Sequence, residues 1–237
     1  MPQQDIKEEF FQISISLFFS IYILHKIIQR IDLCQKQSIP FDFFNWANWI
    51  LVIFTFVIFA FIYAFRGPAI SKAKGFKEVC FPPLLIFIPI LVYESIHYIS
   101  LYPSLLKPLI FLRTDSLLFI FANGVILLGN ALNIYSLLHL RKSFSILVQA
   151  RNVVQSGPYR GIRHPLYLGE FLATIGFMMT APSIFNLLFT FLFIFLQNIR
   201  AKIEEQKLVK TFPEYEDYLK RTNRYFPIKQ AFKWGSF

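Results

Sequence analysis

Long apolar blocks constrain the fold of this sequence more than any other feature. A helix needs about 20 predominantly apolar residues to cross a bilayer. Four such blocks lie at 10–29, 44–65, 80–102 and 117–140. Two further blocks, 166–181 and 183–199, meet at an Ala-Pro-Ser joint that is typical of a tight turn between antiparallel helices. We therefore predict an all-α, polytopic transmembrane bundle of about six spans.

The composition also favours a membrane protein. Only 16% of the 237 residues are charged, whereas soluble domains carry roughly 25%. The net charge is +10, and the basic residues lie at the ends of the apolar blocks. A membrane surface explains that placement better than nucleic acid does, so we expect membrane lipids and no nucleic acid as partners.

The distribution of Lys and Arg predicts how the bundle is oriented. With six spans, 19 of the 24 basic residues fall on one side of the membrane. Because Lys and Arg accumulate on the cytoplasmic side, both termini are predicted to be cytoplasmic. The segments 141–165 and 200–237 then share that face. The second of them is predicted to be a helical tail that breaks near Pro213.

The stretch from Gly157 to Tyr167, GPYRGIRHPLY, combines a helix start with cationic and aromatic residues. A residue before proline avoids the helical conformation, so His164 is predicted to be extended and a helix to begin at Pro165. The free N–H groups of a helix start favour an anion, and Arg163 adds positive charge. These residues predict a cup for a carboxylate or phosphate, although binding of lipid headgroups explains them equally well.

A second polar cluster contains Arg200, Glu204 and Glu205. Arg200 and Glu204 are four residues apart and can pair on one helical face. An ordinary solvated ion pair, or an arginine that reaches the interface from a helix end, also explains them. The predicted topology places this cluster on the same face as Gly157–Tyr167, which favours a site made of both.

Together, G-P-Y-x3-R-H-P-x-Y and the later E-E resemble the isoprenylcysteine carboxyl methyltransferase and phospholipid methyltransferase superfamily of integral membrane enzymes. The resemblance covers about 141–227. The apolar blocks place four N-terminal transmembrane helices in 1–140, and the resemblance implies a methyltransferase core in 141–237 with a cofactor-binding loop, a helical hairpin and the tail.

The resemblance also implies S-adenosyl-L-methionine as the cofactor and assigns roles to residues. Arg200 would face the substrate, and Glu204 and Glu205 would complete the catalytic set. The cofactor-binding residues would be Gln149, Arg151, Asn152, Val153, Val154, Tyr159, Arg163, His164, Pro165, Leu166, Tyr167 and Glu204.

The methyl acceptor implied by the resemblance is lipid-like or prenylated. Because Arg200 can hold an anion, carboxyl O-methylation is favoured. A phospholipid amine would have to lose a proton, with Glu204 or Glu205 as the nearest base, and a small thiol would need a lowered pKa. A non-catalytic interaction protein, or a transport bundle that uses Glu94 and His97, is the remaining alternative.

The two cysteines, Cys34 and Cys80, fall in different connecting regions. No Cys/His cluster accompanies them, so we expect neither a disulfide framework nor a metal site.

Overall fold

The structure is a computed structural model that describes residues 3–35, 43–66, 68–86, 116–180 and 182–227. Its named α-helices are α1 (Gln3–Gln35), α2 (Phe43–Phe65), α3 (Gly75–Val79), α4 (Ser116–Leu140), α5 (Pro165–Thr180), α6 (Ile184–Thr211) and α7 (Tyr215–Arg221). Residues 81–86 are also helical, and short 3-10 turns occupy Arg141–Ser143 and Gly157–Arg160. Within these ranges the only β-type pairing is in isolated bridges, so the predicted all-α class is confirmed.

Four helical stretches are long and apolar enough to cross a membrane. They run over Phe10–Gln35, Trp46–Phe65, Leu117–Ser143 and Ile184–Thr211, which agrees with four of the six predicted blocks. Helix α5 has 16 residues, about 24 Å at 1.5 Å per residue, and is too short to cross alone. Most of the predicted span 80–102 lies outside the described residues, as do Glu94 and His97, so the number of spans remains a prediction.

The outward faces of these helices carry large apolar side chains. Phe61 on α2, Leu128 on α4 and Phe191 on α6 are each more than 60% exposed. A water-soluble protein rarely exposes so much apolar surface, whereas a helix surrounded by lipid does so without cost. These faces are therefore suited to contact lipid.

Helices α1 and α2 pack through aromatic side chains. The Phe19 ring lies 5.2 Å from the Phe59 ring, which in turn stacks at 5.0 Å on Phe144, beyond α4. At the opposite end of α1, the Arg30 guanidinium lies 4.0 Å from the Trp46 ring, a favourable cation–π distance. The chain therefore reverses direction between α1 and α2.

Helices α4 and α5 pack closely through glycines. A Cβ added at Gly129 would lie 2.6 Å from the backbone nitrogen of Ala173, and one at Gly176 would lie 2.8 Å from the Ala122 carbonyl oxygen. Membrane helices use such small residues to bring backbones together. Because the two helices run antiparallel, the end of α4 and the start of α5 lie at the same end of the bundle.

Three polar segments meet at this end. Ser71 pairs with Ala150 in an antiparallel bridge, and Ile162 pairs with Asn223 in a parallel one. Lys207 Nζ lies 2.5 Å from Glu78 Oε2. Segments 66–79, 141–165 and 200–227 therefore share one end of the bundle, as the charge distribution predicted. That this end is cytoplasmic stays a prediction.

Local sequence signals set the helix boundaries around this end. Helix α5 begins at Pro165, as predicted. The Ser183 side chain caps α6 by accepting a hydrogen bond from the Asn186 N–H at 3.1 Å. Helix α6 ends at Thr211, and α7 begins two residues after Pro213, which confirms the predicted break in the tail.

Candidate functional site

The turn before α5 carries the first part of the candidate site. Gly157 adopts φ +56°, and a Cβ there would collide with the His139 ring, so glycine is required on both grounds. The 3-10 turn that follows directs Tyr159 into the bundle, where it is only 5% exposed. This burial raises the pKa of the Tyr159 hydroxyl well above its usual value, and the phenol stays neutral at physiological pH.

The tail fixes the residue that precedes α5. The backbone N–H groups of Arg163 and His164 donate to the carbonyls of Asn223 and Arg224, at 2.9 and 3.0 Å. The His164 ring then stacks on the Tyr167 ring, with centroids 5.1 Å apart and planes 6° from parallel. His164 is therefore held outside the helix in an extended segment, as predicted from the proline that follows it.

Glu204 is held from two sides. The Tyr167 hydroxyl donates to Glu204 Oε1 at 2.5 Å, and Arg200 Nε donates to the same oxygen at 3.0 Å. Another nitrogen of Arg200 donates to the Ile146 carbonyl at 3.1 Å, and this side chain is only 2% exposed. The arrangement leaves Glu204 22% exposed, so its carboxylate is both oriented and accessible.

Glu205 lies at the centre of a network that joins α6, the turn and the tail. Its carboxylate accepts hydrogen bonds from Arg163 at 2.8 Å and from Arg224 at 2.6 Å, and His164 Nε2 lies 3.2 Å away. The bonds with Glu205 raise the pKa of the Arg224 guanidinium above its usual value. Glu205 therefore ties the tail to the start of α5.

A cavity opens beside Glu204, between α6 and the extended segment after α4. Twelve of the residues predicted for the site line it: Gln149, Arg151, Asn152, Val153, Val154, Tyr159, Arg163, His164, Leu166, Tyr167, Arg200 and Glu204. Two do not. Pro165 is buried at the start of α5, and Glu205 lies behind His164 in the network just described. Both are buried in the packing around the cavity, and their predicted roles, cofactor binding for Pro165 and catalysis for Glu205, stay predictions.

Other residues that line the cavity were not assigned a role from the sequence. Lys207 reaches it from α6 and is anchored on Glu78 and on the Lys72 carbonyl. Tyr63 lies outside the cavity and accepts from the Ile146 N–H at 2.5 Å, which holds the backbone that Arg200 also contacts. No local sequence signal predicts the contacts between 63–78 and 146–207, because these contacts join segments more than 60 residues apart.

The site contains carboxylates and a histidine but no metal-binding arrangement. Within the described part of the chain, no group of three or more His, Cys, Asp or Glu side chains is placed to hold a metal ion. The polar groups that line the cavity include the Glu204 carboxylate, four cationic side chains, the His164 imidazole and several phenols.

Residues 117–215 match the family model described as phospholipid methyltransferase. That family is a member of the integral membrane methyltransferase superfamily. That segment contains α4, the turn, α5 and α6, and therefore most of the candidate site.

Two curated proteins are similar to part of the chain. The nickel-cobalt-cadmium resistance protein NccN of Alcaligenes xylosoxydans xylosoxydans is 30% identical over 86 residues, 36% of this chain and 40% of that protein. The cobalt-zinc-cadmium resistance protein CzcN of Cupriavidus metallidurans is 33% identical over 85 residues, 35% of this chain and 39% of that protein. The chain thus matches about two fifths of the length of each.

Proposed function

We propose that the protein is an S-adenosylmethionine-dependent methyltransferase that modifies a lipid-like acceptor at one end of the bundle. The observation that supports this best is the position of Glu204. Tyr167 and Arg200 hold its carboxylate at the edge of the cavity, within the segment that matches a methyltransferase family.

The side chains around the cavity are chemically suited to this cofactor. Bound S-adenosylmethionine supplies a methyl group on a positively charged sulfonium. The Glu204 carboxylate and the face of the Tyr167 ring suit positive charge, and the Arg151 guanidinium suits the carboxylate of the cofactor's amino-acid part. Val153 and Val154 offer apolar contacts for the adenine.

The residues of the site would act mainly by positioning. Methyl transfer from a sulfonium needs an in-line approach of the acceptor and the exclusion of water. The rigid pair of Tyr167 and Glu204 would set the orientation, and the tail would close the cavity from outside. If the acceptor is an amine, its proton must leave, and the accessible Glu204 carboxylate can receive it.

The geometry of Arg200 bears on the choice of acceptor. Carboxyl O-methylation was favoured because a free guanidinium can hold a carboxylate. In the structure, Nε and one terminal nitrogen of Arg200 are already bonded to Glu204 and to Ile146. A carboxylate would therefore have only part of this guanidinium available. We propose that Arg200 chiefly orients Glu204, which leaves carboxylate, amine and thiol acceptors to be distinguished by the labelling experiment below.

The test of the proposed function is binding of the cofactor by purified protein, followed by methyl transfer. Wild-type protein should bind S-adenosylmethionine, and His164→Ala or Glu204→Gln should weaken binding at least tenfold. Glu216→Gln removes a carboxylate from the exposed face of α7 and is the matched control. Absence of binding by the wild type, or wild-type affinity in both site variants, would contradict the proposal.

The acceptor can then be identified with membranes and methyl-labelled cofactor. Label recovered in lipid, in protein or in a small volatile product distinguishes the three acceptor classes. Label that mild base releases as volatile methanol indicates a carboxyl methyl ester, whereas label that stays non-volatile after the same treatment indicates an N-methylated amine. Wild-type protein that binds the cofactor and transfers no label to membranes or small thiols would favour a non-catalytic role.

A further inference from the structure

A second, larger opening lies between α2 and α4. It has a free volume of about 830 Å³ and is bordered by Val57, Phe61 and Phe65 from α2 and by Leu138 from α4. We call it the α2–α4 groove. Phe61 and Phe65 are more than 60% exposed and belong to the surface suited to lipid. The groove is therefore accessible from the hydrocarbon region.

The groove adjoins the polar cavity. Leu140, Ser143, Asn152 and Val154 border both spaces. A molecule in the groove can thus place one end beside the cavity without leaving the protein surface. Helix α2 lies outside the segment 117–215 that matches the family model, so the wall of the groove that α2 forms belongs to a part of the chain which that match does not cover.

The end of the groove next to the cavity is basic. Arg141 and Lys142 border it, and both are exposed. They lie in the last residues of the apolar stretch Leu117–Ser143, where lipid phosphates are found. Arg141 Nε donates to the Leu138 carbonyl at 3.2 Å, whereas the Lys142 ammonium has no hydrogen bond or ion pair within the described residues. Both side chains therefore have donors available for an anion.

We propose that the α2–α4 groove binds one acyl chain of a phospholipid whose phosphate contacts Arg141 and Lys142. The remainder of the headgroup would then lie over Ser143 and Asn152, at the entrance to the cavity. This lipid-binding proposal deepens the proposed function. It rests on that function in one respect only, namely that the bound lipid is the methyl acceptor.

The apolar part of the groove and its basic end contribute differently to lipid binding. A chain that moves from the bilayer into the groove exchanges one apolar environment for another, so the hydrophobic effect adds little. Selectivity must come from the basic end, since each Lys or Arg near a membrane surface strengthens binding of an anionic lipid about fivefold. The lipid should therefore be selected by its phosphate and positioned by the groove.

Photocrosslinking in nanodiscs tests the location. Full-length protein is incubated with phosphatidic acid that carries a diazirine in the half of one acyl chain nearest the headgroup, and labelled peptides are mapped by mass spectrometry. Labels are expected on 57–65 and 137–142. Leu138→Trp should fill the groove and reduce this labelling at least fivefold, whereas Leu128→Trp, the same change on an exposed α4 residue away from the groove, should not. Labels spread evenly over the lipid-facing helices would overturn the inference.

A second comparison tests the phosphate. Diacylglycerol with the same photoreactive chain differs from phosphatidic acid only in lacking this group. Phosphatidic acid should label the groove at least fivefold more strongly than diacylglycerol in the wild type. In Arg141→Gln/Lys142→Gln the two lipids should label within twofold of each other. Lys202→Gln removes an exposed charge elsewhere and should keep the wild-type preference. Equal labelling by both lipids in the wild type would overturn the inference.

Cofactor binding separates this inference from the proposed function. Leu138→Trp leaves Glu204 and its partners untouched and should bind S-adenosylmethionine like the wild type. Specific lipid labelling in a protein that binds no cofactor would leave the groove assignment standing and contradict the proposed function. Cofactor binding without specific lipid labelling would contradict the groove assignment and leave the proposed function standing.

Discussion

Tyr167 on α5 and Glu204 on α6 are joined by a hydrogen bond of 2.5 Å between the phenol hydroxyl and the carboxylate. The residues are 37 positions apart in sequence, so only the fold brings them together. Because Tyr167 also stacks on His164, one side chain orients two of the groups that we propose to contact the cofactor.

We expect Tyr167→Phe to weaken binding of S-adenosylmethionine roughly tenfold or more. The phenylalanine ring can still stack on His164, but the hydrogen bond to the Glu204 carboxylate is lost, and a bond to a charged group contributes about 1.5–3 kcal/mol. Titration calorimetry on detergent-solubilised protein measures the change. Tyr135→Phe, which removes a hydroxyl from a half-exposed ring on α4, should bind normally. Unchanged affinity in Tyr167→Phe would mean that Glu204 needs no orientation.

The Glu205 network predicts how firmly the tail is attached. In Glu205→Gln, Arg163 and Arg224 lose their carboxylate partner, and loss of one partner from a buried ion pair costs about 3 kcal/mol or more. The melting temperature should fall, and a protease should cut near 212–224 sooner than in the wild type. Glu216→Gln lies on the same tail without buried partners and should behave like the wild type. Equal cleavage rates for both variants would show that other contacts hold the tail.

The helices, including the start of α5 at the site, could be predicted from the sequence because their signals are local. Apolar blocks give the spans, and the proline after His164 gives the start of α5. The tail contacts could not be predicted, since nothing local pairs Arg224 with Glu205 or the backbone of His164 with the backbone of Arg224. The same limit explains why the sequence alone did not separate Glu204, which lines the cavity, from Glu205, which holds the tail. Spacing cannot distinguish two adjacent glutamates that point in different directions.

The tail should loosen at high pH because of two phenols, the buried Tyr218 and the partly buried Tyr225. Burial raises the pKa of Tyr218 and of Tyr225 to about 12. An unfolded tyrosine ionises near pH 10, so folding favours the protonated form. The stabilisation is complete below about pH 10 and is lost as the pH rises from about 10 towards 12.

Ultraviolet absorbance of tyrosinate, recorded together with protease sensitivity of the tail, checks this dependence. Tyr218 donates to the carbonyls of Tyr159 and Ile162, so its ionisation removes a donor from both. Tyr218→Phe lacks this hydroxyl and should be less stable at neutral pH but lose less stability on alkalinisation. A tail that remains protected at pH 12 would contradict the proposed coupling.

The glycine packing of α4 against α5 yields a sharp comparison within one helix. A Cβ at Gly129 would lie 2.6 Å from the Ala173 nitrogen and from the Gly169 carbonyl oxygen, whereas one at Gly124 would have no neighbour within 4 Å. Backbone atoms cannot rotate away, so Gly129→Ala must push the two helices apart, at a cost of about 1–3 kcal/mol. Gly124→Ala should be neutral or stabilising by up to about 1 kcal/mol.

Thermal unfolding in detergent should rank Gly129→Ala below the wild type and Gly124→Ala at or above it. Because α5 begins at Pro165 and carries Tyr167, a displaced α5 should also move the Tyr167 hydroxyl away from Glu204. Gly129→Ala should therefore bind S-adenosylmethionine more weakly even at temperatures where it remains folded. A destabilised variant with unchanged affinity for S-adenosylmethionine would show that the tail alone positions His164 and Tyr167. The contact between α4 and α5 would then serve only stability.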